Sequence, residues 1–491
     1  MHVRKRVNFG QSLYFFAQIW YTVSIEISYF ILKGRLNTAA VISMKLNNKR
    51  TVLVGLAFLS ICAFWQMYDN VVPLILTKTF HMNESISGAI MAADNILALF
   101  LLPFFGALSD KCNSRIGRRM PFILFGTGLA VILVNILPLC DNAYAKEPSM
   151  FAFVSFAITL ALLLIAMGIY RSPAVALMPD VTPKPLRSKG NAIINLMGAV
   201  GGIIYLGVAA VLYPKAKTEG LAHVNYQPLF LVVSIIMFVS VGLLFLLIRE
   251  PKLAAENKAL EELHPEWNVA DEGPTEEEKS KKLPREVRRS LGFLLASVAL
   301  WYVGYNGVTT WFTTYIDKVM GEGLGGASTC LLVATAGAIV SYLPIGALSA
   351  RIGRKLTIQG GVVLLAVCFA LGYVLTTVYS EINAIMYVVF LLVGLAWAAI
   401  NVNSFPMVVE MCRGADTGKF TGYYYTASMA AQVITPVLAG TLLRNVGYWT
   451  LFIYAAFFVA LAFVTMLFVR HGDVKPEAKK GLDAFADMGD D

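Results

Sequence analysis

The stretch GALSDKCNSRIGRRMPFI, Gly106 to Ile123, sets one acid and four bases between two long apolar runs. Half a chain later comes GALSARIGRKLTI, Gly346 to Ile358, again between apolar runs. The repeated punctuation points to a duplicated unit, and the flanking runs say in which solvent it folds. Of the 491 residues, 57% are hydrophobic and only 14% charged. That is too little charge to cover a soluble surface, which leaves an all-α polytopic membrane protein. The six cysteines are scattered without a CxxC pair, and the five histidines fall in loops or tails. Neither a disulfide framework nor a metal site is expected, and no cofactor.

A membrane helix needs about 20 predominantly apolar residues. From residue 51 onward there are twelve such runs, near 51–77, 85–109, 120–140, 151–179, 188–213, 227–249, 290–316, 325–349, 355–378, 382–410, 417–443 and 446–470. Connections on the side of residues 44–50, together with the tail, carry 28 Lys/Arg; the opposite loops carry six. The positive-inside rule then places both ends in the cytoplasm. Topology accounts for the net charge of +9 without a nucleic-acid partner. The expected organisation is residues 44–249 as a six-helix bundle, a linker over 250–289, a second bundle over 290–470 and a tail over 471–491. Within the linker, KLAAENKALEEL suits a surface helix. Residues 1–43 spoil the charge scheme and read as a non-native or peripheral extension ahead of Met44. One chain holds both halves, so a functional monomer is expected. A bacterial inner membrane is the expected location, with the Asn83–Ser85 sequon read as a short polar turn.

Parallel repeats of six spans are the architecture of major facilitator transporters. Gly-x-x-x-Asp followed by Arg-x-Gly-Arg-Arg resembles the signature loop of that superfamily, over Met44 to about Arg470. The four residues between Asp110 and Arg115, the Pro121-Phe122-Ile123 that follows, and RSPAVALMPDVTPKPLRSKGNA at Arg171–Ala192 are similar to the glycoside–pentoside–hexuronide/cation symporters and their sucrose-transporter-like relatives. The resemblance implies a gate. Asp110, Arg115, Arg118 and Arg119 would make charge-assisted contacts between helix ends near Asp180, with Gly106 and Gly117 allowing close approach. Gly346, Arg351, Gly353 and Arg354 would form the second copy, weaker because Ala350 stands where the acid stood.

Ionisable residues deep in a span are functional suspects. Asp69, Asp94 and Arg171 each fall roughly 12–14 Å from a span end at 1.5 Å per residue. A buried arginine calls for a carboxylate partner. Such a carboxylate stays ionised beside Arg171 and takes a proton once the arginine is drawn to substrate. Sugar/proton symporters of the superfamily resemble this arrangement, which makes Asp69 the first choice of proton site, Arg171 its partner and Asp94 the second. In sodium-using relatives the span-2 acids fall near Ala98 and Leu102 of this chain, which offer no ligand oxygen, so sodium is the alternative ion.

Gln66, Tyr68 and Asn70 in span 1, Tyr305 and Asn306 in span 7, Trp397 and Asn401 in span 10 and Gln432 in span 11 suit a neutral polyol. Amides meet vicinal hydroxyls, and rings meet the apolar face of a sugar. The resemblance implies a disaccharide or other glycoside. A proton-driven drug or metabolite exporter is the alternative, disfavoured because span 5 has glycines but not the Gly-Pro motif of such members. No catalytic constellation appears, so an enzyme is not expected.

Overall fold

The computed structural model describes residues 46–264, 284–411 and 417–473. From Asn48 onward they form one compact unit, with helices and no strand among the described residues. Among the described residues, twelve helices are long and apolar enough to span a membrane. They are α1 (Asn48–Leu74), α2 (Glu84–Asp110), α3 (Met120–Lys146), α4 (Met150–Val181), α5 (Arg187–Leu212), α6 (Gln227–Leu247), α7 (Arg285–Met320), α8 (Gly323–Ile352), α9 (Arg354–Val378), α10 (Ala384–Glu410), α11 (Thr417–Asn445) and α12 (Thr450–Leu467). The residues expected as an extension, 1–43, and the tail after Asp473 lie outside the described residues.

Helix ends follow local chemistry. On the base-poor face, Asn83, Ser149 and Asn383 each accept a hydrogen bond from a first-turn N–H of α2, α4 and α10, which satisfies donors the helix itself cannot. Asn83, the letter-code sequon, is thereby a helix cap. Helix α7 starts at Arg285, five residues earlier than the apolar run, because Pro284 precedes it and the charged turn continues the helix. Gly321, at φ 67°, closes it in the left-handed conformation. The linker begins with a helix, Glu250–Leu263, where KLAAENKALEEL was expected to form one. Helix α1 ends differently: after Pro73 it loosens into a π-turn over Ile75–Thr79, a deviation common at functional sites.

One apolar core gathers residues of α1–α6 together with Leu324 of α8, the other residues of α7–α12. The remaining apolar surface, including Phe100, Phe125, Phe151 and Phe238, is exposed as a lipid-facing belt would be. The two halves meet along α2 with α11 and α5 with α8. Their backbones touch there: a Cβ at Gly88 would overlap Pro436 O, and one at Gly440 would overlap Glu84 O. Small residues let helices approach this closely where no hydrophobic force pulls them together.

Polar ties between the halves gather on the base-poor face. Lys78 Nζ of the π-turn lies 2.6 Å from Asp317 Oδ1. Tyr448 donates to Glu84 at 2.6 Å, and Lys215 reaches Glu381 at 3.2 Å and Glu322 at 3.4 Å. One level deeper, Thr313 donates to Asn70 Oδ1 at 2.7 Å. The structure is therefore closed on that face.

Candidate functional site

Between the halves lies a cavity of about 370 Å³, at the small end of the range for organic ligands. Helical spacing explains its walls. Positions three or four apart share a helix face, so α1 presents Cys62, Trp65, Gln66 and Asp69, and α7 presents Tyr305, Asn306, Thr309 and Thr310. Asp94 and Asn95 come from α2, Arg171 from α4, Asn195 from α5, Thr335 from α8, Trp397 and Asn401 from α10 and Gln432 from α11. Among the described residues, the first half thus supplies every charge in the lining, two carboxylates and one guanidinium. The second half supplies rings, amides and hydroxyls.

Of the residues expected to serve coupling or substrate, nine border this cavity: Asp69, Asp94, Arg171, Gln66, Tyr305, Asn306, Trp397, Asn401 and Gln432. Two do not. Tyr68 is 1% exposed and packs its ring against Phe64 and Trp65. Asn70, 2% exposed, donates to Gln66 O at 2.7 Å and accepts from Thr313, so it joins the halves beside the cavity. Asn195, Thr309, Thr310 and Thr335 were missed. The 3.6-residue period from Tyr305 and Asn306 would have found the first two threonines.

The rings are pre-arranged. Tyr305 lies flat on Trp397, centroids 3.7 Å apart and planes 4° from parallel. Trp397 backs the stack at 7% exposure, leaving the partly exposed Tyr305 as the cavity's platform. Among the described residues, Asn306 Nδ2, Asn401 Oδ1 and Trp65 Nε1 are buried without a hydrogen-bond partner. Unsatisfied donors and acceptors at a cavity wall are costly unless something completes them. Asp94 accepts from Asn95 Nδ2 at 3.0 Å. Arg171 sits over the Trp65 ring, Cζ 5.8 Å from its centroid, and among the described residues makes no ion pair within 4.0 Å.

The signature loop forms a second polar centre on the basic face. Arg119, 5% exposed, pairs through Nε with Asp180 at 2.8 Å, through Nη2 with Asp110, and donates to Ser109 Oγ and Gly106 O. Arg118 grips Asp180 with two bonds of 3.1 and 2.6 Å. Arg115 is exposed and joins no ion pair among the described residues. In the second copy Arg354 pairs with Glu410 at 2.8 Å, while Arg351 is exposed and stays outside. Among the described residues, neither Arg115 nor Arg351 makes the charge-assisted contact the motif reading expected: each is exposed where its neighbour is paired.

Glu250, the first residue of the linker helix, was not anticipated. Its carboxylate is 2% exposed and accepts the backbone N–H groups of Arg118, Arg119 and Met120 at 2.8–2.9 Å. It caps the start of α3 from 130 residues away, against Gly117 at φ 119°. The second half repeats the device: Asp473, after α12, accepts from Lys355 N at 2.9 Å beside Gly353 at φ 97°. A side chain at either glycine would be strained and would strike the capping carboxylate.

The sequence model of the Major Facilitator Superfamily matches residues 54–343 and 323–486. A sucrose transport protein of Arabidopsis thaliana is 34% identical over 145 residues; the match spans 27% of this chain and only 24% of that relative's length. A gentisate transporter of Corynebacterium glutamicum is 24% identical over 422 residues, 85% of this chain and 87% of that one. Among solved structures, a bacterial homologue of the iron transporter ferroportin in an inward-facing state aligns with TM-score 0.63 at 12% identity, over 86% of this chain and 99% of that one. The inward-open xylose transporter XylE of E. coli aligns with TM-score 0.59 at 16% identity, over 86% and 96%. At those identities the solved structures speak for the fold alone.

Proposed function

The chain belongs to the Major Facilitator Superfamily, and from that premise we propose that it carries a sugar, a disaccharide or other glycoside, together with a proton by alternating access. It is an integral membrane transporter, not an enzyme. The observation that carries the finer reading is one cavity in which Asp69, Asp94 and Arg171 face a wall of Tyr305, amides and threonines. A sugar ring stacks on Tyr305 while its hydroxyls complete Asn306 Nδ2 and Asn401 Oδ1. With one carboxylate protonated, the remaining acid and Arg171 cancel, and a neutral solute meets a neutral site.

We read the basic face as cytoplasmic, which makes this the inward-facing state. In the outward-facing state the Lys78, Lys215 and Tyr448 ties part, and water brings a proton to Asp69. Sugar draws Arg171 to its hydroxyls, and the carboxylate, short of a counter-charge, keeps the proton through the transition. On the cytoplasmic side sugar leaves, Arg171 returns, and the proton passes to water. The Arg118–Arg119–Asp180–Asp110 cluster acts at the opposite gate.

A second reading, an organic anion held by Arg171, is favoured because that residue has no ion-pair partner among the described residues, and by the length of the gentisate-transporter match. Uptake of labelled disaccharides, monosaccharides and gentisate into proteoliposomes separates the two. Accumulation of a sugar under an inward proton gradient supports the first; accumulation of gentisate alone would replace it.

A further inference from the structure

Arg171 poses a problem that the proposed cycle leaves open. Two carboxylates share its cavity, yet it pairs with neither and lies instead over the indole of Trp65. Left to Coulomb attraction in a site of low dielectric, a guanidinium would close on an acid and stay there. A permanently closed pair would hold the carboxylate ionised and could not exchange a proton.

Trp65 is built to prevent this. Its ring is fixed on its own helix by edge-to-face contacts with Phe64, centroids 5.1 Å apart, and Tyr68, 5.4 Å apart. The face left over receives Arg171. A cation over an indole is the strongest of the side-chain cation–π pairs, so the ring competes with the acids for the guanidinium without supplying charge. The groups that could otherwise hold Arg171 are few. In the cavity lining, α1 offers Asp69, α2 offers Asp94, and the second half offers Tyr305 and Tyr342 but no carboxylate or cation. The contest is between two acids and one ring.

We propose that Trp65 is the positioning residue of the coupling site, a resting place that keeps Arg171 available to substrate and keeps Asp69 and Asp94 free to gain and lose a proton. Tyr68, which does not reach the cavity, acts through Trp65 by bracing its ring. The proton balance is simple: H⁺ moves from water to a carboxylate oxygen on one side and back to water on the other, while Arg171 stays protonated throughout. The inference rests on the proton/sugar reading of the same cavity.

The test is the pH profile of sugar counterflow, with equal pH on both sides, in proteoliposomes of the full chain. The probe is the first labelled sugar, starting with sucrose, that the wild type exchanges. Trp65→Leu and Trp65→Met release Arg171 to the acids, so the protonated, sugar-binding form demands more acid. Their alkaline limb moves to lower pH by about 0.5 to 1 unit, a three- to tenfold change corresponding to one cation–π contact. Trp65→Phe keeps an aromatic face and stays near the wild type. The use of two non-aromatic variants guards against one failing to fold. Profiles superimposable on wild type, or a Phe variant displaced as far as Leu, would overturn the role of Trp65. Asp69→Asn and Asp94→Asn report on the parent reading separately. If neither flattens the profile, or if no sugar exchanges, the proton/sugar reading itself fails and takes the proposal with it.

Discussion

Replacing Lys78 with methionine should loosen the base-poor face by a calculable amount. Lys78 Nζ and Asp317 Oδ1 stand 2.6 Å apart, one from each half, with side chains 41% and 9% exposed. A fully exposed pair contributes about 0.2–1 kcal/mol, and the half-exposed lysine calls for that discount. Asp317 is nearly buried, which moves the figure to the top of the range, about 1 kcal/mol. That corresponds to roughly a fivefold change in the ratio of closed to open forms. The cavity carries its own reporter in the thiol of Cys62, which lines it and is in no disulfide. In a chain whose other five cysteines are replaced, an impermeant thiol reagent added on the base-poor side should label Cys62 about fivefold faster in Lys78→Met. Asp317→Asn should do the same, and Lys318→Met, which removes a neighbouring exposed charge, should not. Unchanged labelling in both latch variants would refute the inference that this pair holds the face shut.

Glu250→Ala strands three N–H groups at the start of α3, two of them buried, and should cost about 3 kcal/mol, seen as a fall in thermal unfolding midpoint of several degrees; Glu250→Gln, which keeps one acceptor, should lose less. Gly88→Val should drive α2 from Pro436 and, in the same thiol assay, mimic Lys78→Met. On the base-poor face, His223 bonds Asn142 Oδ1 at 2.8 Å, and burial lowers its pKa from the usual 6.5. A group harder to protonate folded than unfolded makes the unfolded chain bind more protons. Stability contributed there is present above pH 6.5 and is lost as pH falls from 6.5 through the depressed folded value. His223→Gln should remove that part of the acid-side decline in the unfolding midpoint.

Spans, repeat and signature loop were legible because each rests on local pattern: apolar length, charge between runs, and glycine spacing within a loop. The depth of Asp69, Asp94 and Arg171 was legible too, since it needs only a count of residues from a helix end. What a side chain faces was harder. Tyr68 and Asn70 flank Asp69 in sequence, but successive residues on a helix turn by 100°, and only the packing of α7 against α1 decides which of them meets Thr313 and which meets the cavity. Glu250 and Asp473 were hidden for another reason. Each caps a helix more than 100 residues away, a relation no local window contains. Arg115 and Arg118 carry the same letter three positions apart, and only Gly117 at φ 119° turns the second of them toward Asp180.

The central claim is that a cavity carboxylate couples proton movement to sugar movement. Its most direct measurement compares wild type with Asp69→Asn in proteoliposomes, scoring sugar accumulation under an imposed inward proton gradient and sugar counterflow without one. The variant should lose gradient-driven accumulation and keep counterflow, since the site still binds sugar while the titrating group is gone. Accumulation persisting in Asp69→Asn and in the Asp94→Asn companion, or driven only by sodium in the wild type, would contradict it.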